Sequence, residues 1–498
     1  VVTATLTGVT AAQAATITTD NNDLITLTLT GSALTGSDIN NLNIASANTG
    51  GVVTATLNNV SAAVANSIIT ASTDFISVTL SSGAANASDL NGIDTKTAVD
   101  VNAVLVTAIN GSLADVHTAR TSTSITTDTD YTSTVSGTND ESGVANLNAL
   151  AGETSGLVTA SLANLTAAQA DGLTTAATDA ITVTLEAGAT TADILNSLDG
   201  KTSVTIGAQA ITGITDSLAD IHTARTAAGI TTDTDYTASV TDTLDENAAT
   251  NLNALAAETS GKVTAAVSNL TAAQADTFTT AGTDDITFTL EAGTTTATVL
   301  NNIDATTAIT VGAQAITGIS GDLADIHTAR TSAGITTDTN YTATVDDTLV
   351  ASDRTNLNAL ANETSGVVTA TIGGLTAAQA ATDLANLTGG TDVITLGITG
   401  TNDENDIANI NTTAGRTDGV VTAALSNLTA AQADGLTTAA TDAITVTLEA
   451  GATTADILNS LDGKTDVTIG AQAITGITDT LADIHTARTA AGITTDTD

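Results

Sequence analysis

The chain has 498 residues with no Pro, Cys, Met or Trp and only three Tyr and three Phe, so it lacks the large side chains that usually fill a thick globular core. Its 54 acidic and 10 basic residues give a net charge of −44, which repels phosphate backbones and anionic bilayers and excludes a nucleic-acid-binding role. Acidic, aromatic-poor chains are often disordered, but a mean hydropathy of +0.23 and a regular apolar pattern predict a folded one. With no Cys, the redox compartment cannot be read from disulfides. The absence of oxidisable sulfur fits exposure outside a cell. No apolar run reaches the length of a membrane span, so no membrane insertion is expected.

The opening residues Val1-Val2-Thr3-Ala4-Thr5-Leu6 already belong to a repeat and lack the shape of a signal peptide. After a half unit at 1–51, full repeats of 105 residues run over 52–156, 157–261 and 262–366. Each closes on Glu-Thr-Ser-Gly, at Glu153 to Gly156, Glu258 to Gly261 and Glu363 to Gly366. A second half unit covers 367–419, and 420–498 repeats 157–235 with five differences over 79 positions. The last residues, Asp496-Thr497-Asp498, stop inside the motif that elsewhere runs on into Tyr131 or Tyr236. The sequence therefore reads as a slice of a longer array, with its true termini expected elsewhere.

Within one full repeat, four short runs carry the alternation of half-buried strands: Leu157–Leu162, Ile181–Leu185, Val204–Ile206 and Tyr236–Val240. An Ala/Leu-rich stretch at helical spacing follows each. Thr166-Ala167-Ala168-Gln169 is a capping box, and Thr190 or Thr191 starts a second helix through Ile194, Leu195 and Leu198. Leu218, Ile221 and His222 mark a third helix; Leu252, Leu255 and Ala256 mark a fourth. Four strand–helix coils per repeat give about 19 in the chain. The predicted fold class is α/β: one continuous right-handed β/α solenoid with one parallel β-sheet face and one helical face. Val158, Ala160 and Leu162 should face the helices, whereas Thr159 and Ser161 face outward. Thr182, Thr184, Thr287, Thr289, Thr445 and Thr447 should form the same exposed surface.

The phrases Val-Thr-Ala-Thr-Leu at 53–57, Leu165-Thr166-Ala167-Ala168-Gln169-Ala170 and Leu198-Asp199-Gly200-Lys201-Thr202 resemble repeats of giant cell-surface proteins of marine cyanobacteria. Some members of that class are linked to swimming motility and some carry calcium-binding hemolysin-type repeats. The resemblance covers essentially the whole chain. It implies an extracellular, surface-attached or filament-forming role and brings no catalytic residues. The Gly-Gly-x-Gly-x-Asp nonapeptide of the hemolysin type is missing here.

Several residues invite chemical readings. His117, His222, His327 and His485 all stand in Ala-Asp-(Val/Ile)-His-Thr-Ala-Arg, with Asp115, Asp220, Asp325 and Asp483 before them and Arg120, Arg225, Arg330 and Arg488 after. A His and an Arg three apart on a helix can touch; a His and an Asp two apart cannot. Copies some four coils apart cannot share a metal, so the motif reads as one structural coil copied. Asp128 with Asp130, Asp233 with Asp235, Asp346 with Asp347, and Asn402-Asp403-Glu404-Asn405-Asp406 read as solvated charge, with weak Ca²⁺ binding as the alternative. The ranks of Thr-x-Thr permit a glycan-, surface- or ice-binding reading. Asn164, Asn269, Asn386 and Asn427 begin Asn-Leu-Thr sequons that a chain rich in Asn and Thr produces by chance. No residue is assigned a catalytic, cofactor-binding or metal-ligating role, and no enzyme is expected. The expected function is a structural segment of a giant extracellular protein. Its partners would be itself, the continuation of its own chain, or cell-surface glycans.

Overall fold

The computed structural model describes residues 1–31 and 33–496; Thr497 and Asp498 lie outside the described residues. The chain forms two compact units, one of Val1–Thr241 with Glu258–Gly261 and the other of Asp242–Ala257 with everything from Lys262 onward. The class is α/β, with nineteen α-helices and thirty-one strands among the described residues. The strands pair in parallel and fall into several sheets rather than one.

In the first unit, a six-stranded sheet takes its strands in the order Thr3–Val9, Leu24–Leu29, Val53–Val60, Phe75–Leu80, Val101–Ala103 and Ile125–Thr127. A seven-stranded sheet is centred on Val158–Leu165, which pairs with Ala180–Leu185 on one side and Ser133–Asn139 on the other. In the second unit, a nine-stranded sheet runs from Gly293–Thr296 through Val368–Leu375 to Ile493–Thr495.

Several sheets arise because three of the four coils carry two strands each. The coil predicted at Ile181–Leu185 has Ala180–Leu185 and then Gly188–Thr191 before its helix Ala192–Asp199. The next has Ile206–Ala208 and Ile211–Asp216, so the predicted run Val204–Ile206 contributes only its last residue to a strand. The fourth begins with Ile230–Thr232, ahead of the predicted run at Tyr236. First and second members pair separately, Ile206 with Ile230 and Gly213 with Thr237.

The apolar alternation orients each layer as the sequence requires. Val158, Ala160, Leu162 and Leu165 are buried, as are Ile181, Val183 and Leu185 and, on the helix, Ala192, Leu195 and Leu198. Each fully buried Val, Leu or Ile contributes about 1.5–3 kcal/mol. Thr182 and Thr184 on the opposite face are exposed, and so are Thr287, Thr289, Thr445 and Thr447. Cross-strand neighbours include Ser161 beside Thr182 and Thr371 beside Thr395.

The helix starts are capped as predicted. The Gln169 amide donates to Thr166 Oγ1 at 3.2 Å and the Thr166 amide donates to Gln169 Oε1 at 2.8 Å. Thr10, Thr271, Thr376 and Thr429 do the same with Gln13, Gln274, Gln379 and Gln432. Just before the cap the strand must turn through a left-handed residue. Asn59, Asn164, Asn269 and Asn427 take φ of 56 to 59°, and Gly8 and Gly374 hold the matching place in two other coils. Asn and Gly tolerate that conformation best.

The corners between coils are polar and buried. Asp179 is 5% exposed; its Oδ1 accepts from the Val158 amide at 2.9 Å and its Oδ2 from the Ala176 amide at 3.0 Å. Asp74, Asp284, Asp392 and Asp442 repeat the arrangement. Thr202 accepts from the Ile181 amide at 3.0 Å and the Val204 amide at 3.2 Å, and its hydroxyl proton faces the Ile181 carbonyl at 2.9 Å. Thr49, Thr97, Thr307, Thr417 and Thr465 stand in equivalent places.

Thr202→Val keeps the shape but strands the buried Ile181 amide, at a cost of about 1–3 kcal/mol, and the half-buried Val204 amide, which costs less. Urea denaturation should show the first unit unfolding at lower urea than the parent, whereas Thr184→Val, on the exposed face, should leave the midpoint within about 0.5 kcal/mol.

Candidate functional site

The His motif forms helices Leu113–Thr121, Leu218–Thr226, Leu323–Thr331 and Leu481–Thr489. Its Asp belongs to the helix start: the Asp115 amide donates to Ser112 Oγ at 3.1 Å, and Ser112 Oγ donates back to Asp115 Oδ2 at 2.6 Å. In two of the four copies the His and Arg touch as their spacing allows, with Arg120 Nη2 donating to His117 Nδ1 at 3.3 Å and Arg330 to His327 at 3.1 Å, whereas His222 Nδ1 is buried without a hydrogen-bond partner. As the acceptor in those two pairs, Nδ1 carries no proton.

In three of the four copies the main partner of the Arg lies in the next coil. Arg120 pairs with Glu153, Arg225 with Glu258 and Arg330 with Glu363, the Arg about 95% buried and the Glu nearly half exposed. The Nε atoms of all three Arg are buried without a hydrogen-bond partner. Burial lowers the affinity of Arg330 for its proton, although a guanidinium stays charged in water-based conditions. Tyr131, Tyr236 and Tyr341 pack beside these pairs, and burial raises each phenol above its usual range.

This geometry explains the Glu-Thr-Ser-Gly motif residue by residue. Glu153 neutralises Arg120, Thr154 donates to the Tyr131 carbonyl, and the Ser155 amide donates to the Thr129 carbonyl at 2.8 Å. At Gly156 a Cβ would lie 2.3 Å from the Tyr131 carbonyl oxygen, so only Gly fits. A second clamp comes from helix asparagines. Asn148 Nδ2 donates to the Gly172 carbonyl and its Oδ1 accepts from the Thr174 amide, both at 2.8 Å. Asn43, Asn253 and Asn411 grip the following coil in the same way.

The acid-rich turns divide. Asp128, Asp130, Asp233 and Asp235 are exposed. Asp347 accepts from the Leu323 amide at 3.0 Å. In the loop at 402–406, Asn402 is buried and donates to the Ala424 carbonyl at 3.0 Å, and Asp406 accepts from the Asp403 amide at 3.2 Å. In three of the sequons the Asn is the left-handed residue and the Thr is the helix cap, at Asn164–Thr166, Asn269–Thr271 and Asn427–Thr429. Asn386 instead binds Asn358 of the preceding coil.

Two carboxylate clusters were invisible in the linear sequence. Asp193, Asp216 and Asp220 bring one oxygen each within 4.8 Å of one another, and Asp456, Asp479 and Asp483 do likewise. Asp216 accepts from the Asp193 amide at 3.1 Å and the Ser217 amide at 2.9 Å. Asp216 first, and then Asp220, push the Asp193 carboxyl above its ordinary range. Asp479 is the chief cause of the same shift at Asp456. Three hard oxygen donors are the ligand type that Ca²⁺ or Mg²⁺ takes, with water completing the shell. The residues stand 23 and 27 positions apart in adjacent coils, beyond any local motif. The readable signal is a comparison of copies: Ser88 with Gly111, and Thr298 with Gly321, stand where these two copies have paired Asp. In the Thr copy, Thr298 Oγ1 donates to Asp325 Oδ2 at 2.8 Å, which replaces repulsion with a hydrogen bond.

No family model matches the chain, and no curated protein sequence matches it. Among solved structures it is similar to a plant peptide hormone receptor, RGFR1, in complex with RGF2, at 9% identity over 96% of this chain and 76% of that one. The TM-score of 0.16 is too low for that likeness to carry an argument.

Two outcomes follow from the electrostatics. Glu153→Gln leaves a buried guanidinium without its counter-ion and should cost about 1–3 kcal/mol, discounted for the exposure of the Glu. Asp383→Asn, which breaks the more exposed Arg354–Asp383 pair, should cost less than Glu153→Gln; urea titrations of the two variants check the ranking. A raised carboxyl pKa favours the folded state only while the group is protonated, so the penalty at Asp193 is absent in acid and appears as the pH rises. Asp193→Ser should therefore raise Tm at about pH 7 and lose that gain near pH 2.

Proposed function

We propose that the chain is a structural segment of a giant extracellular surface or filament-forming protein, built of about 19 strand–helix coils wound right-handedly. The observation that supports this most is the use made of the recurring polar residues. Arg120 with Glu153, Asp179 with Val158, Thr202 with Ile181 and Asn148 with Gly172 each join one coil to its neighbour. A repeat whose polar side chains serve the next repeat suits a long array that carries load or spaces other parts. The resemblance to giant surface proteins of marine cyanobacteria agrees with this reading, as does the absence of oxidisable sulfur. The partners on this reading are the chain's own continuation and further copies, with glycans meeting the exposed Thr face.

A second reading, a calcium-stiffened spacer, is favoured by the two carboxylate trios. A bound cation would relieve the repulsion that raises Asp193 and Asp456.

Antibodies to the 105-residue repeat, imaged by electron microscopy on cells that express the native protein, should decorate surface fibres or a surface layer at many points along each. A discrete soluble monomer of about the size of this chain would contradict the proposal. For the second reading, Tm should rise with Ca²⁺ and fall with chelator in the parent, and should stay fixed when Asp193 and Asp456 are both changed to Ser; an unmoved parent removes it.

A further inference from the structure

One full repeat carries three residues that depart from its sister copies together, and the fold brings them into contact. Asn66 stands where the other copies have Asp171, Asp276 and Asp434. Asp89 stands where they have Ile194, Val299 and Ile457, and Gly92 where they have Ser197, Asn302 and Ser460. Asn66 ends the short helix Ala62–Ala65; Asp89 and Gly92 lie on the helix Ala87–Asp94 of the following coil. Lys96, just beyond that helix, donates from Nζ to Asn66 Oδ1 at 2.8 Å and also to the Asn66 backbone carbonyl. Asn66 Nδ2 donates to Asp89 Oδ1 at 2.8 Å. Gly92 makes the room, because a Cβ there would lie 2.4 Å from Asn66 Oδ1.

We propose that Lys96 and Asn66 condense into an intramolecular isopeptide bond, with Asp89 as the proton carrier. The three functional groups are those that amide exchange needs: an amine, a carboxamide and an acid on the leaving nitrogen. Lys96 Nζ, after releasing one proton to solvent, forms a bond to Asn66 Cγ. The Cγ–Nδ2 bond breaks. Nδ2 receives a second proton that Nζ sheds, delivered by Asp89, and departs as ammonia. Atoms balance without oxidant, metal or co-reactant. Held contact between amine and carbonyl replaces a bimolecular encounter, and a carboxyl within hydrogen-bond reach of the leaving nitrogen is the placement that general acid catalysis requires.

The sister copies are internal controls. Lys201 faces Asp171 at 2.6 Å and Lys464 faces Asp434 at 2.7 Å, both as ion pairs. A carboxylate offers no ammonia to expel, and Ile194 and Ile457 supply no acid in place of Asp89. In the fourth copy the Lys is itself replaced, by Thr306. A bond between residues 66 and 96 would tie two successive coils covalently and stop them from separating under load.

The test is the intact mass of the whole folded chain, followed by peptide mapping. The parent should be lighter than its sequence by one ammonia and should yield a branched peptide that joins Asn66 to Lys96, with Asp171, Lys201, Asp434 and Lys464 in linear peptides. Asp89→Asn, checked for unchanged circular dichroism, should keep its full mass. Lys96→Arg retains the charge, and should fold and also keep its full mass. A parent of unaltered mass with residues 66 and 96 in separate peptides would overturn the proposal. A folded Asp89→Asn chain that is as completely cross-linked as the parent would overturn the role of Asp89.

Discussion

Parallel strands that follow one another around a coil must leave the sheet at a corner, and at each corner backbone amides turn inward with no strand to receive them. The structure meets that demand with buried side-chain oxygen. Asp179 takes the amides of Val158 and Ala176, and Thr202 takes those of Ile181 and Val204. A buried amide without an acceptor costs about as much as burying one Val or Leu side chain yields. Regular stacking of coils of small residues therefore depends on these oxygens as well as on the Val, Leu and Ile layers.

The same demand accounts for features that otherwise look unrelated. Lys201-Thr202 and Glu153-Thr154-Ser155-Gly156 differ in sequence, yet each places one Thr hydroxyl at a corner. The Gly that ends the second motif follows from the carbonyl of the previous coil, which occupies the space of a side chain. The buried Arg is held by a half-exposed Glu, so the clamp between coils reaches water at one end and is closed at the other. The His of the motif packs against that Arg as part of the clamp.

Much of this architecture was legible in the chain, and what was hidden has definite causes. The capping box at Thr166 and Gln169 is local, four residues long, and so is legible from the sequence. The outward Thr182 and Thr184 follow from alternation over six residues. The second strand of a coil, such as Gly188–Thr191, is four residues of Gly, Ala and Thr with too little apolar contrast to register. Val204 and Thr205 have strand character but lie at a corner, with the strand beginning at Ile206. Buried Thr202 and exposed Thr184 are the same residue type, and only contacts from 21 residues away tell them apart. For the same reason no local pattern joins Asp193, Asp216 and Asp220, which meet only when adjacent coils stack. Comparison between copies, more than any local pattern, would have found both that trio and the group of Asn66, Asp89 and Lys96.

The corner oxygens give the central claim a direct measurement. Hydrogen exchange should be followed at the amides of Val158, Ile181 and Val204, which bind side-chain oxygen, beside that of Val183, inside a strand. If the corners hold the coils together, the three corner amides exchange as slowly as Val183 and open with it in a single step as urea is raised. Corner amides that exchange at the rate of exposed loops, while Val183 stays protected, would contradict the account.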